Sequence, residues 1–133
     1  MSEYQQKRIK SCLLPETVYR QALWAVKDLP RMRQRLLELE ESLDCICGSS
    51  VSVSRSSNVH ADRPAVKAGQ MANLALRIRR IEDGLMCVPE QYRDGILDKL
   101  AYGVPYPDLY HANTWKRWQQ VFLYHVAVNL QLY

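Results

Sequence analysis

The chain has 133 residues, 47% of them hydrophobic, which is enough for one domain with a real core, or one domain carrying an appended element. No apolar run reaches the roughly eighteen residues a membrane helix needs, and the polar start "MSEYQQKRIKSC" has no apolar stretch of a secretory signal, so a cytoplasmic chain without a membrane partner is expected. Eighteen basic and 14 acidic residues leave a net charge of +4, spread as nine against seven in residues 1–61 and again in 62–133, which excludes a strongly basic segment while permitting a nucleic-acid partner.

The first helical signal is "PETVYRQALWAVKDLP". Pro15 suits a first helical position, and Val18, Ala22, Ala25 and Leu29 recur every three or four residues as one apolar stripe. The helix is predicted to stop before Pro30, which pushes its predecessor out of the helical region. Pro30 then opens "PRMRQRLLELEESLDCI". There Met32, Leu36, Leu39, Leu43 and Ile46 repeat like a heptad seam. Arg31, Arg33 and Arg35 crowd its start and Glu38, Glu40, Glu41 and Asp44 its end, against the sense of the helix dipole. Either a solvated charged face or pairing with another segment offsets that.

Residues 48–61 are rich in serine and lose all apolar period, so they read as a flexible linker, one that would allow helix exchange between chains. A third helix from about Arg63 to Cys87 carries Met71, Leu74, Ile78, Ile81, Leu85 and Val88 on one stripe. Asp62 is placed to cap it and Pro64 falls in its first turn. Its seam matches that of the second helix in period, so the two are expected to form a packed helical hairpin or a dimer. Pro89 starts a fourth helix with Tyr92, Ile96 and Leu100 inward and Gly103 as its stop. After "VPYPDLYHAN" a last helix begins near Asn113 and runs almost to Tyr133. The expected fold is all-α: a long helical hairpin followed by a C-terminal helix-turn-helix-like unit. Its parts are N-terminal helices at 1–47, the linker at 48–61, and the long helix with the C-terminal unit at 62–133.

Little in the sequence speaks for catalysis. There is no Gly-rich phosphate loop, no G-x-S-x-G and no H-E-x-x-H. Asp108 and His111 lie one turn apart without a serine or cysteine to complete a nucleophilic set, and such a pair at a helix start suits capping. Cys45, Cys47 and His60 lack the fourth ligand of a structural zinc, so no metal and no cofactor are expected. Thiols are expected for all four cysteines, some of them buried as small apolar residues.

Two helices around a short broken segment are the ingredients of a helix-turn-helix, whose second helix lies in the major groove. On that reading Thr114, Lys116, Arg117, Gln119 and Gln120 stand near duplex DNA. Lys116 and Arg117 would contact phosphate, and Arg117 or a glutamine would read bases. Trp115, Trp118, Phe122 and Val126 share the opposite face and read as core rather than as base-stacking platforms.

The stretches "ADRPAVKAGQMANLALRIRRIEDGLMCVPEQYRDGILDKLAYG" and "NTWKRWQQVFLYHVAVNLQLY" together resemble the C-terminal half of phage and prophage transcriptional regulators of the RinA and ArpU type. Those proteins resemble in turn the promoter-reading helix-turn-helix of sigma factors. The matching positions are Asp62, Pro89, Glu90, Tyr92, Arg93, Ile96, Thr114, Arg117, Trp118, Phe122, Ala127 and Leu130. "PETVYRQALWAVKDLPRMRQRLLELE" is similar to the N-terminal part of related prophage proteins, so the resemblance spans most of 13–133 through diffuse apolar and tryptophan positions. It implies a non-enzymatic DNA-binding regulator with double-stranded DNA as partner, and RNA polymerase and a second copy of the chain as further candidates. The alternatives are an oligomeric adaptor of phage assembly or DNA packaging, and a protein-only interaction module with a degenerate helix-turn-helix. The chain departs from the pattern between Gly103 and Thr114. Ten residues with two prolines stand there in place of a full support helix and a tight turn.

Overall fold

The computed structural model describes residues 5, 10–48 and 63–133. These hold a short 3-10 turn, Lys10–Cys12, and five helices: α1 Glu16–Lys27, α2 Leu29–Gly48, α3 Arg63–Leu85, α4 Glu90–Tyr102 and α5 Ala112–Asn129. No strand occurs among the described residues, so the all-α class follows as the periodicity implied. Two compact units emerge. One joins the chain up to Pro30 with Arg79–Tyr133, and the other is Arg31–Ile78.

The Arg31–Ile78 unit is an antiparallel helical hairpin. Lys67 Nζ on α3 donates to Ser42 Oγ on α2 at 2.5 Å. Leu36 and Leu43 line a groove with Met71 and Ala68, while Arg35 and Leu39 line another with Leu74 and Arg77. Met32, Leu39 and Ile78 are buried, so the heptad seam faces inward at these positions. Leu36, Leu43, Met71 and Leu74 are only half-buried. The alanines Ala68, Ala72 and Ala75 explain the gap, because a methyl group cannot fill the space beside a leucine across the hairpin. The charges that oppose the helix dipole are met at least partly within α2. Arg35 pairs with Glu38 at 3.5 Å, both about half-exposed. Such a pair is worth only about 0.3–0.5 kcal/mol.

The other unit is built on α1, α4, α5 and the last turns of α3. Helix α1 buries Tyr19, Ala22, Leu23, Ala25 and Val26 and packs on α5 and α4. It ends at Lys27. Helix α2 starts at Leu29, with Pro30 in its first turn where a missing N–H costs nothing. From α3, Ile81, Leu85 and the following Val88 are buried. Gly84 lets α3 approach α5 closely, since a Cβ there would lie 3.0 Å from Val126 Cγ2. Near the far end of α5, Asn129 Nδ2 donates to the Arg80 carbonyl at 3.1 Å. Tyr92, Ile96 and Leu100 form the buried stripe of α4 as expected, and Gly103 ends it in the left-handed conformation with φ of 71°.

Two local expectations change, both at the ends of α5. Helix α5 starts at Ala112, not near Asn113. Its cap is His111, whose extended backbone places Nδ1 to accept from the Asn113 amide at 3.1 Å. At the other end α5 stops at Asn129, where the Leu132 amide donates to the Ala127 carbonyl at 2.8 Å and Gln131 turns to a φ of 60°. That closure is a Schellman-type stop made without glycine. Among the cysteines, Cys87 is exposed and Cys12 half-buried, so neither is a core apolar residue. Asp62, His60 and the linker residues 49–61 lie outside the described residues, as do the side chains of Cys45 and Cys47.

Candidate functional site

Residues 103–111, where a helix-turn-helix would place a support helix and turn, are not helical. Two prolines forbid the regular ladder there. The segment is held instead by aromatic rings. Tyr106 stacks on Trp115 with centroids 4.8 Å apart and 10° between planes, and its hydroxyl donates to Gln119 Oε1 at 2.5 Å. Trp115 Nε1 donates to the Pro107 carbonyl at 3.2 Å. Tyr110 lies against both Tyr92 and Trp115, at 4.8 and 5.6 Å. Burial raises the Tyr106 phenol pKa above its usual range, with a smaller push from Tyr19.

Trp115 is the centre of this arrangement. Only 2% of it is exposed, and its six-membered ring lies over the backbone of α4 at Gly95. A Cβ at Gly95 would come 2.6 Å from Trp115 Cη2, closer than packed atoms approach. Gly95→Ala is therefore expected to destabilise the protein by about 1–3 kcal/mol through overpacking, reduced by the gain of up to about 1 kcal/mol in helix propensity. Equilibrium unfolding in urea measures the net. A variant more stable than the parent would show that the ring can move aside at no cost.

With Trp115 seated on α4, the start of α5 is fixed and its outward side chains follow. Lys116 and Arg117 are exposed and Thr114 is half-buried. Arg117 lies with Cζ 5.8 Å from the Trp118 ring centroid, and Trp118 stacks on Tyr92 at 5.8 Å. Trp118 is half-buried, whereas Trp115, Phe122 and Val126 are fully in the core.

The two glutamines expected beside them are elsewhere. Gln119 is 9% exposed and accepts the Tyr106 hydroxyl. Gln120 is 1% exposed and donates from Nε2 to the Cys12 carbonyl at 3.2 Å. The expectation that they lie on the polar face of α5 is corrected, because a helix enclosed by α1, α4 and the aromatic connector has more than one buried side. Sequence spacing hid this. Both amides are polar, and only their tertiary partners reveal them as interior groups.

The Arg80 backbone carbonyl is held by Asn129, twelve residues or about 18 Å along α5 from Arg117. Arg93 is spent on backbone, donating from Nε to the Val88 carbonyl at 2.8 Å, and so secures the turn between α3 and α4. That role accounts for an arginine there without a ligand.

Comparison with protein-family models, with curated proteins and with solved structures finds no match for this chain.

Proposed function

We propose that this protein is a non-catalytic, DNA-binding transcriptional regulator of the phage or prophage type, with the start of α5 presented to the duplex. One observation carries the reading: Lys116 and Arg117 stand exposed and adjacent in the first turns of a helix that contains no acidic residue. Unopposed cations on a rigid helix start suit phosphate contact, and Arg117 suits a guanine edge. Thr114 completes the polar group. The helix is held in place by Trp115, so its orientation costs little on binding.

A protein-only interaction module is the second reading, favoured by the burial of Gln119 and Gln120. Loss of both amides leaves a smaller surface for base recognition than the sequence suggested.

Binding to duplex DNA across a salt series separates the two. Lys116→Ala and Arg117→Ala should each weaken binding and lower the salt slope by roughly 1, the value for one lost phosphate contact. Both should keep folding within about 0.5 kcal/mol of the parent, as surface substitutions do. If both variants bind every duplex as the parent does, α5 is not the reading head and the protein-only reading takes first place.

A further inference from the structure

A cavity of about 570 Å³ opens between α1, α4, α5 and the connector before α5. That volume falls within the roughly 300–1,000 Å³ of small-molecule sites. Its wall is mostly apolar, with Leu23 of α1, Leu100 of α4, Pro105 of the connector and Ala112 of α5. Lys27, Lys99 and Lys116 border it as well. The Lys27 Nζ lies over the Trp24 ring at 4.9 Å and the Lys99 Nζ over the Tyr106 ring at 5.9 Å, so these two ammoniums are already engaged with rings.

The polar group with capacity to spare is the Gln119 amide. Gln119 is 9% exposed and borders the cavity. Its Oε1 accepts the Tyr106 hydroxyl at 2.5 Å. Burial keeps the proton on that phenol, and the bond turns the amide oxygen toward Tyr106 and the Nε2 hydrogens away from it. Nε2 donates to no acceptor among the described residues. Every sealed side-chain nitrogen and oxygen among them has a partner, so Nε2 opens onto free space. For a side chain nine-tenths buried at the wall of a cavity, that space is the cavity.

We propose that this cavity binds a small neutral apolar molecule with one carbonyl oxygen, a ketone, ester or amide, which accepts from Gln119 Nε2. The proposal stands independently of DNA binding. A hydrocarbon would cover the wall but cut Nε2 off from water with no partner, and that desolvation is not recovered. A carboxylate would satisfy Nε2 but carry its charge out of water onto an apolar wall, at a larger cost. An apolar body with one neutral acceptor meets both parts of the lining.

The test uses the full chain and the fluorescent ketone 2-propionyl-6-(dimethylamino)naphthalene. Its control is the same molecule with the carbonyl reduced to a methylene. The ketone should saturate one site and give nuclear Overhauser contacts to the methyl groups of Leu23 and Leu100. It should also shift the Gln119 Nε2 proton signals downfield, which the methylene control should not do. Gln119→Met keeps the length of the side chain and removes the donor. It should lower the ratio of ketone to control affinity about tenfold, the loss of one buried hydrogen bond. Thermal melts report whether this variant folds, and if it does not, the Nε2 proton shifts on the parent decide. Four results would each overturn the proposal: no saturable ketone binding, contacts only to methyl groups elsewhere, equal Nε2 shifts with ketone and control, or an unchanged affinity ratio in a folded Gln119→Met protein.

Discussion

Trp115→Ala is expected to destabilise the protein by about 3–5 kcal/mol, the range for removing a buried large aromatic. The side chain is 2% exposed and meets partners on several sides: Gly95 beneath it, Tyr106 stacked on it, and the Pro107 carbonyl accepting from its indole N–H. Its removal leaves a cavity on α4, since a glycine has no side chain to move into the space. It also leaves the connector without its anchor, so amide exchange should quicken first in residues 104–111. Trp118→Ala is the control. That ring is half-buried against Tyr92 and should cost clearly less. Urea unfolding of the two variants provides the comparison. Equal losses would mean that the aromatic cluster has no centre at Trp115.

Leu39→Ala is expected to cost about 2–5 kcal/mol. Leu39 is 2% exposed and lies on the α2 seam opposite Leu74. Leu36→Ala and Leu43→Ala should cost less, because both leucines are half-buried beside alanines and give up less enclosed surface. A loss near zero for Leu39→Ala, or a larger loss for Leu36→Ala, would show that the hairpin seam faces another way. Denaturant titration followed by circular dichroism reads all three.

The helices were legible because their cause is local. Val18, Ala22, Ala25 and Leu29 recur at the helical period, and so do Tyr92, Ile96 and Leu100. The prolines at 15, 30 and 89 fall where helices begin, and Gly103 falls where one ends. None of these features needs a distant partner. The candidate site was legible only in part. The exposure of Lys116 and Arg117 was legible because a charged side chain on an amphipathic helix goes to solvent. Gln119 and Gln120 were misplaced because an amide is content either in water or inside, provided it is bonded. Their bonds go to Tyr106, thirteen residues back, and to the Cys12 carbonyl, 108 residues back. Asp108 and His111 were read as suited to capping, and His111 does cap α5, two residues ahead of Asn113.

By its sequence alone this chain determined its class, the order and approximate ends of its helices, and part of the stripe each one buries. Those properties follow from period and from proline and glycine geometry, which act within a few residues. Tertiary structure decided which stripes meet. Helix α1 joins α4 and α5, the far end of the chain, and residues 31–78 form a hairpin of their own. It also decided that a proline-broken connector with no helix can still be ordered, by stacking Tyr106 and Tyr110 around Trp115. Last, it decided that three lysines far apart in sequence border one apolar cavity. The reason is common to all three: contacts between distant residues depend on shape and on the surface left after each helix has buried its own stripe, and period does not encode that remainder.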